Sequence, residues 1–200
     1  MMYIPRIKLL YEKKVINNLK KKLKYKNIMQ VPKLKKIVIN IGVGVRNKNN
    51  IVDTMEDLSL LTGQKSTYRL SKKDISGLKL RKGTKIGCMV TLRRNIMYEF
   101  LERLISVALP RSKDFNGIKE NSFDGKGNYN LGIKEHIIFP EINFEKVKRI
   151  YGMNISFVTS TKDDNSAKEL LINLGLPFKN NNIYGGRCKR IIKRKKNKKK

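Results

Sequence analysis

Acidic residues are scarce in this chain of 200 residues: 16 Asp and Glu stand against 46 Lys and Arg, a formal net charge of +30 with a pI near 10.3. A free enzyme for a small neutral substrate does not sit well with that balance, because so self-repelling a chain is normally held against a polyanion. Histidine occurs once, at His136, which excludes multi-histidine metal centres and leaves histidine catalysis resting on one residue. Cys88 and Cys188 lie far apart and no CxxC pair exists. A disulfide framework or zinc knuckle is therefore not expected, and a reducing compartment fits. No apolar run reaches the roughly 18 residues a membrane span needs, so no membrane partner is expected. The start MMYIPRIKLLYEKK has no apolar core followed by a small-residue cleavage site, and a secretory signal is not expected there.

What the chain does have is apolar matter for a core, 40% of residues with 8% aromatic, and a length that fits one globular domain. Its charge is segregated. Residues 1–36 carry 12 basic residues and one acidic, 65–85 carry eight and one, and 179–200 carry eleven and none. The remaining positions hold 15 basic and 14 acidic residues and are nearly neutral. Lys, Asn and Ile fill 77 of the 200 positions and Lys outnumbers Arg 34 to 12, a bias expected of an A/T-rich coding genome. Drift of that kind would not spare the middle of the chain, so the segregation carries more weight than the total.

Residues 6–25 place Leu9, Ile16, Leu19 and Leu23 at helical spacing among lysines, which predicts an amphipathic helix with a basic outer face. Pro32 is expected to end any helix and open an extended segment. Over 35–43, Ile37, Ile39 and Ile41 alternate with Val38 and Asn40, a strand. The following GVGVRN lacks the third glycine and the helix of a dinucleotide loop, so a turn or bulge is expected. Ile51, Met55 and Leu58 mark a helix over 50–62, with Gly63 suited to its C-cap. From Lys65 a short strand leads into SKKDISGLKLRKGTKIG and then a strand in which Ile86, Cys88, Val90 and Leu92 alternate. This is a basic strand–loop–strand arm, with Cys88 a buried small hydrophobe. Residues 95–108 form the clearest helix, with Met97, Phe100, Leu101, Leu104, Ile105 and Ala108 inward and Pro110 as its stop. A loop over 111–128 follows, then a strand through Tyr129, Leu131 and Ile133, and a short extended piece at HIIFPEI. A last strand over 153–161 precedes a helix through Ala167, Leu170, Leu171 and Leu174, entered behind Asp163 and Asp164. Residues 180–200 cannot build a core and are expected to be disordered in isolation. The expected fold class is α+β: a small, mostly antiparallel sheet packed with helices, a basic internal loop and a basic disordered C-terminal tail. One domain over 1–179 would carry an extension over 180–200.

No enzyme chemistry emerges. No GxSxG elbow accompanies His136, which is better explained as a hydrogen-bonded structural imidazole beside a strand. No pair of carboxylates stands out as acid and base. Asp124 in FDGKGN suits a turn rather than a calcium loop, because Lys126 occupies a ligand position and no Glu follows at the required distance. No catalytic residue, metal site or cofactor is expected. A metal-dependent nuclease would need clustered carboxylates near a basic groove, which the acid-poor segments do not offer. A DNA-architectural protein would bind duplex DNA about as well as folded RNA, which leaves competition to separate the two. RNA binding needs cations to neutralise phosphates, and aromatic and short polar side chains on rigid elements for selectivity. Tyr25, Tyr68, Tyr129, Asn40, Gln64 and Thr91 are of those types, although Asn and Thr on sheets are more often structural.

Five motifs stand in one order: MQVPKLKKIVINIGVG, LTGQK, SGLKLRKGTKIGCMVTLR, LPRSKDFNG and, above all, SFDGKGNYNLGIKEHIIFPEI. From about residue 3 to Phe178 the chain closely resembles bacterial-type large-subunit ribosomal protein L5, the 5S-rRNA-binding family. The resemblance implies a structural constituent of the large ribosomal subunit, on a cytoplasmic or an organellar ribosome. It would help attach 5S rRNA in the central protuberance through its sheet face and N-terminal portion. The family's polar trio falls on Asn40, Gln64 and Thr91, with Lys20, Lys24 and Lys33 as cations of the same surface. The arm from about Ser71 to Lys85 matches the family loop that reaches toward the peptidyl-site tRNA, through Lys72, Lys73, Lys79, Arg81 and Lys82. Further partners implied are large-subunit rRNA, neighbouring 5S-associated ribosomal proteins and a small-subunit head protein at an intersubunit bridge. After Val90–Arg93 the family usually continues Gly-Glu-Arg, where this chain has Arg94, Asn95 and Ile96. Contacts there are therefore not carried over. Residues 180–200 are extra to the family, either a tolerated disordered tail or an rRNA-binding arm through Arg187, Lys189, Arg190, Lys193 and Arg194.

Overall fold

The alternation around Ile39 does produce a strand, β1 (Leu34–Gly42), and it lies at the centre of the sheet. The computed structural model describes residues 3–44, 50–112, 115–142, 145, 147 and 149–179. Five antiparallel strands run in the order β2 (Thr67–Leu70), β3 (Lys85–Leu92), β1, β5 (Met153–Thr159) and β4 (Tyr129–Ile133). The register stacks like with like. Ile37 pairs with Leu92 and Phe157, Ile39 with Val90 and Ile155, and Ile41 with Cys88 and Met153. All nine of these side chains are buried. They form the floor on which the helices pack, and burying each contributes about 1.5–3 kcal/mol for the larger aliphatic and aromatic groups.

At the N-terminus α1 (Arg6–Leu10) passes through a π-helical turn (Tyr11–Val15) into α2 (Ile16–Lys22). The buried residues are Ile7, Val15 and Leu19, with Tyr11 half-buried between them. A spacing of four outruns the 3.6-residue turn, so an unbroken α-helix would rotate this stripe off the core; the wider π turn holds it there. This overturns the expected inward position of Leu9, which is exposed. The helix also ends before Pro32 is reached. Lys24 takes φ 54 and breaks the ladder, while Pro32 is buried, its carbonyl accepting the Tyr11 hydroxyl at 3.0 Å.

α3 (Ile51–Thr62) closes on Gly63 at φ 67, as expected, and buries Thr54 where Met55 was expected to lead. α4 (Arg94–Arg103) runs through a second π turn (Leu104–Ala108) into α5 (Leu109–Arg111). Pro110 therefore lies inside helical structure instead of stopping it. A proline ring crowds the carbonyl four residues back, and the loosened ladder of the π turn is where that carbonyl lies. HIIFPEI also departs from expectation. His136–Ile138 is a 3-10 turn, because the His136 N–H bonds to the Tyr151 carbonyl at 3.0 Å and the chain then folds inward to bury Phe139.

Asp164 opens α6 (Asp164–Asn173) but does more than favour a helix start. Its carboxylate accepts the N–H groups of Gly125 and Gly127 at 3.1 and 2.8 Å. Asp124 accepts those of Lys126 and Asn128 at 2.8 and 3.0 Å, together with the Asn128 side-chain amide at 2.7 Å. These hydrogen bonds to its charged form hold the Asp124 carboxyl below the usual carboxylate range. Gly127 is obligatory: φ is 75, and a Cβ would meet the Thr161 carbonyl oxygen at 2.4 Å. The FDGKGN turn so locked delivers Tyr129 to the start of β4.

Candidate RNA interface

Strand parity that buries one face of the sheet presents the other. Along β1 this second face carries Lys36, Val38 and Asn40, and along β3 Met89 and Thr91, all half-buried. The register sets Val38 beside Thr91 and Ser156, and Asn40 beside Met89 and Asn154. β4 adds Asn130 opposite Ser156, whose hydroxyl donates to the Asn130 side-chain oxygen at 2.6 Å. β2 adds Thr67 and Arg69, the Arg69 guanidinium lying 3.0 Å from the Met89 sulfur. Arg93 stays extended at φ −140 and ψ 163, continuing the Met89, Thr91 parity alongside Lys36. The result is a shallow surface of amides, hydroxyls and one thioether, with cations at its corners.

Of the polar trio, Asn40 and Thr91 are brought onto this face as diagonal neighbours. Gln64 is not on the sheet. It is exposed in the turn joining α3 to β2, where the Thr62 hydroxyl donates to the Gln64 carbonyl at 3.1 Å and Gly63 makes the left-handed bend. Lys24 and Lys33 are exposed and Lys20 is half-buried. Lys33 is fixed by its backbone, which exchanges 2.9 Å hydrogen bonds with Ser160 beyond β5. Asn130, Asn154, Ser156, Arg69, Lys36 and Arg93 were missed from the sequence. Applying strand parity to MNISFVT and YNLGI would have exposed the first three.

Tyr129, Tyr68 and Tyr25 each have a partner within the fold. Tyr129 is buried against Phe123, Phe157 and Phe178, and its hydroxyl donates to the Lys119 carbonyl at 2.7 Å. The Lys85 ammonium already sits 4.0 Å from the Tyr68 ring centroid. Tyr25 is half-buried, with its hydroxyl 3.3 Å from that of Ser166.

The arm between β2 and β3 has its own hydrogen bonds. Ser71 binds Thr84 and Gly83 across its base at 2.8 and 3.0 Å, and Ile75 pairs with Leu80 beyond them. A 3-10 turn (Ser76–Leu78) makes the tip, Lys79 follows at φ 50, and Asp74 accepts the Lys82 N–H at 2.5 Å. Lys72, Lys73, Lys79, Arg81 and Lys82 are all exposed on it. Arg187, Lys189, Arg190, Lys193 and Arg194 lie outside the described residues.

The groups that could have done chemistry are occupied by the fold. The His136 Nδ1 accepts the Tyr151 N–H at 3.1 Å, and burial holds the ring below its ordinary pKa against the opposing pull of the Tyr151 backbone and Asp57. Burial, helped by Asp57, pushes the Cys88 thiol up to about 11, which keeps this thiol protonated at neutral pH. Among the described residues no group of three or more His, Cys, Asp or Glu could hold a metal ion, and no helix is long and apolar enough to cross a membrane.

The chain resembles known proteins along most of its length. Residues 27–81 match the family model described as ribosomal protein L5, and residues 85–178 the one described as the ribosomal L5P family C-terminus. The large ribosomal subunit protein uL5 of Karelsulcia muelleri is 60% identical over 181 residues, covering 90% of this chain and 97% of that protein. The uL5 proteins of Christiangramia forsetii and Geobacter sulfurreducens are 56% and 52% identical, covering 90% and 87% of this chain and 100% and 98% of their own. Likeness over nine-tenths of the length shows the family: the chain belongs to the ribosomal protein L5 family, of the bacterial type, and is a structural protein of the large ribosomal subunit.

Proposed function

We propose that the open face of the sheet binds 5S rRNA, with Asn40 and Thr91 on the face and Gln64 at its margin. Lys20, Lys24 and Lys33 add phosphate contacts from the N-terminal portion. The chain thereby helps attach 5S rRNA to large-subunit rRNA in the central protuberance of the cytoplasmic ribosome, beside other 5S-associated proteins. The arm over 71–84 reaches the peptidyl-site tRNA with Lys72, Lys73, Lys79, Arg81 and Lys82, and a small-subunit head protein completes an intersubunit bridge. Residues 1–179 act as one domain, and the cations of 180–200 add affinity for rRNA.

The observation that supports this best is the chemistry of the open face. Asn40, Asn130, Asn154, Ser156, Thr67 and Thr91 offer donors and acceptors on a rigid surface, where a solvent-only face would be expected to carry more charge. Cations at the corners hold phosphates while the amides in the middle discriminate. The deciding measurement is a salt titration of binding to 5S rRNA beside a length-matched unrelated RNA. With about 6–10 phosphate contacts, both affinities fall by roughly 10³–10⁵ between 50 and 200 mM salt. A preference for 5S rRNA is expected to persist at the higher salt; two curves that fall together would overturn it.

A further inference from the structure

Arg94 takes φ 55, in the left-handed region that a side chain bearing a Cβ rarely adopts. It stands where β3 turns into α4, directly after Arg93 on the open face, and both are exposed. Neither forms an ion pair with a described residue, whereas Arg6, Lys22, Arg103 and Lys168 all do. Ile37 pairs with Leu92, so the turn opens at the same end of the sheet as Lys33, Lys35 and Lys36. Five cations thus lie at one end of the sheet, with Lys36 and Arg93 on the open face and Arg94 on strained backbone. The turn needs a positive φ, which glycine or asparagine supplies at less cost. An arginine there gives up stability for a charge in this place.

We propose that Arg94 is a phosphate-binding residue that extends the RNA interface around the β3–α4 corner; this rests on the open face being an RNA surface. The neighbouring extended Arg93 and Lys36 bracket the backbone of one strand, and Arg94 takes the next phosphate as the chain turns away from the sheet. The partner is the sugar–phosphate backbone of folded RNA, read without regard to base.

Arg94→Gly and Arg94→Asn remove the cation and accept the positive φ, while Arg94→Lys keeps the charge. Arg94→Gly is expected to raise the melting temperature by about 1–4 °C. The same variant is expected to weaken binding to 5S rRNA and to unrelated RNA alike, by about 3–10-fold, and to lower the salt slope by about 0.7–0.9. Arg94→Asn should lose as much binding, and Arg94→Lys should retain the wild-type slope. Stability and binding moving in opposite directions is a result that damage to the fold cannot produce. An unchanged slope in both neutral variants would overturn the proposal, and so would a reduced slope in Arg94→Lys. Absence of any 5S preference in the wild type, with the slope difference intact, would instead overturn 5S rRNA recognition and leave the phosphate contact standing.

Discussion

The two faces of the sheet are made from the same strands, one residue out of phase. On one face Ile37, Ile39, Ile41, Val90, Leu92, Ile155 and Phe157 are buried under helices. On the other, Lys36, Val38, Asn40, Met89, Thr91, Asn154 and Ser156 remain half-buried or exposed. Backbone hydrogen bonding is common to both faces, so what differs is the fate of the side chains. The covered face repays its order by removing apolar area from water within the chain. The open face has fixed geometry and polar groups whose hydrogen-bonding capacity the chain itself uses only in part, and that is what a folded RNA needs to meet.

Substitutions on the two faces should therefore separate stability from binding. The largest effect is expected on the covered side. Phe157 is fully buried, with its ring 6.3 Å from that of Tyr129. Phe157→Ala should cost about 3–5 kcal/mol in denaturant unfolding, while the fraction that stays folded keeps its RNA affinity. A loss below about 1 kcal/mol would show that the covered face is not the main support of the fold.

An intermediate effect belongs to the open side. Asn40→Ala combined with Gln64→Ala should weaken 5S rRNA about ten- to a hundredfold, leave unrelated RNA nearly unchanged, and alter stability by about 0.5 kcal/mol or less. Equal losses on both RNAs would show that these side chains hold the fold instead of reading RNA, and the contrast between the faces would collapse.

The smallest effect lies at the edge of the core. Folding lowers the His136 pKa, chiefly by burial, so the unfolded chain takes up a proton first as pH falls through about 6.5. Stability is complete above that value and is lost as pH falls toward the folded pKa. Asp57, raised by burial, works in the opposite sense in the carboxylate range. The melting temperature should drop modestly from about pH 7.5 to 5.5, and drop less in His136→Gln. Identical profiles would mean that the imidazole carries no linkage.

Much of the fold was legible because period and capping act locally. The alternation in KKIVINIG, the Gly63 cap and the Leu170, Leu171, Leu174 stripe each became the element expected. The misses share a cause. A uniform 3.6-residue helix would turn Leu9 inward and end at Pro110. The π turns at Tyr11–Val15 and Leu104–Ala108 change the phase, and what holds them is the core they pack on. Residue type alone allows Tyr129 to face RNA. Its place in a ring cluster with Phe123, Phe157 and Phe178 depends in part on residues distant in the chain, Phe157 and Phe178.

The interface was legible in a different proportion. Charge segregation pointed to a polyanion, and the ordered motifs pointed to the family and to Asn40, Gln64 and Thr91. They did not say that Asn40 and Thr91 share a face while Gln64 stands in a turn beside it, nor that Asn130, Asn154 and Ser156 complete the surface. That required the pairing of β1 with β3 and β5, and of β5 with β4. Composition, periodicity and caps are properties of neighbouring residues and can be read without a fold: an α+β chain, most of its core-forming residues, its basic segments and its kinship. Strand order and register join residues more than a hundred positions apart, as in the pairing of β1 with β5, and come into being only when the chain packs. Burial on the covered face selects one register out of many, and that choice sets which polar side chains stand together on the open one.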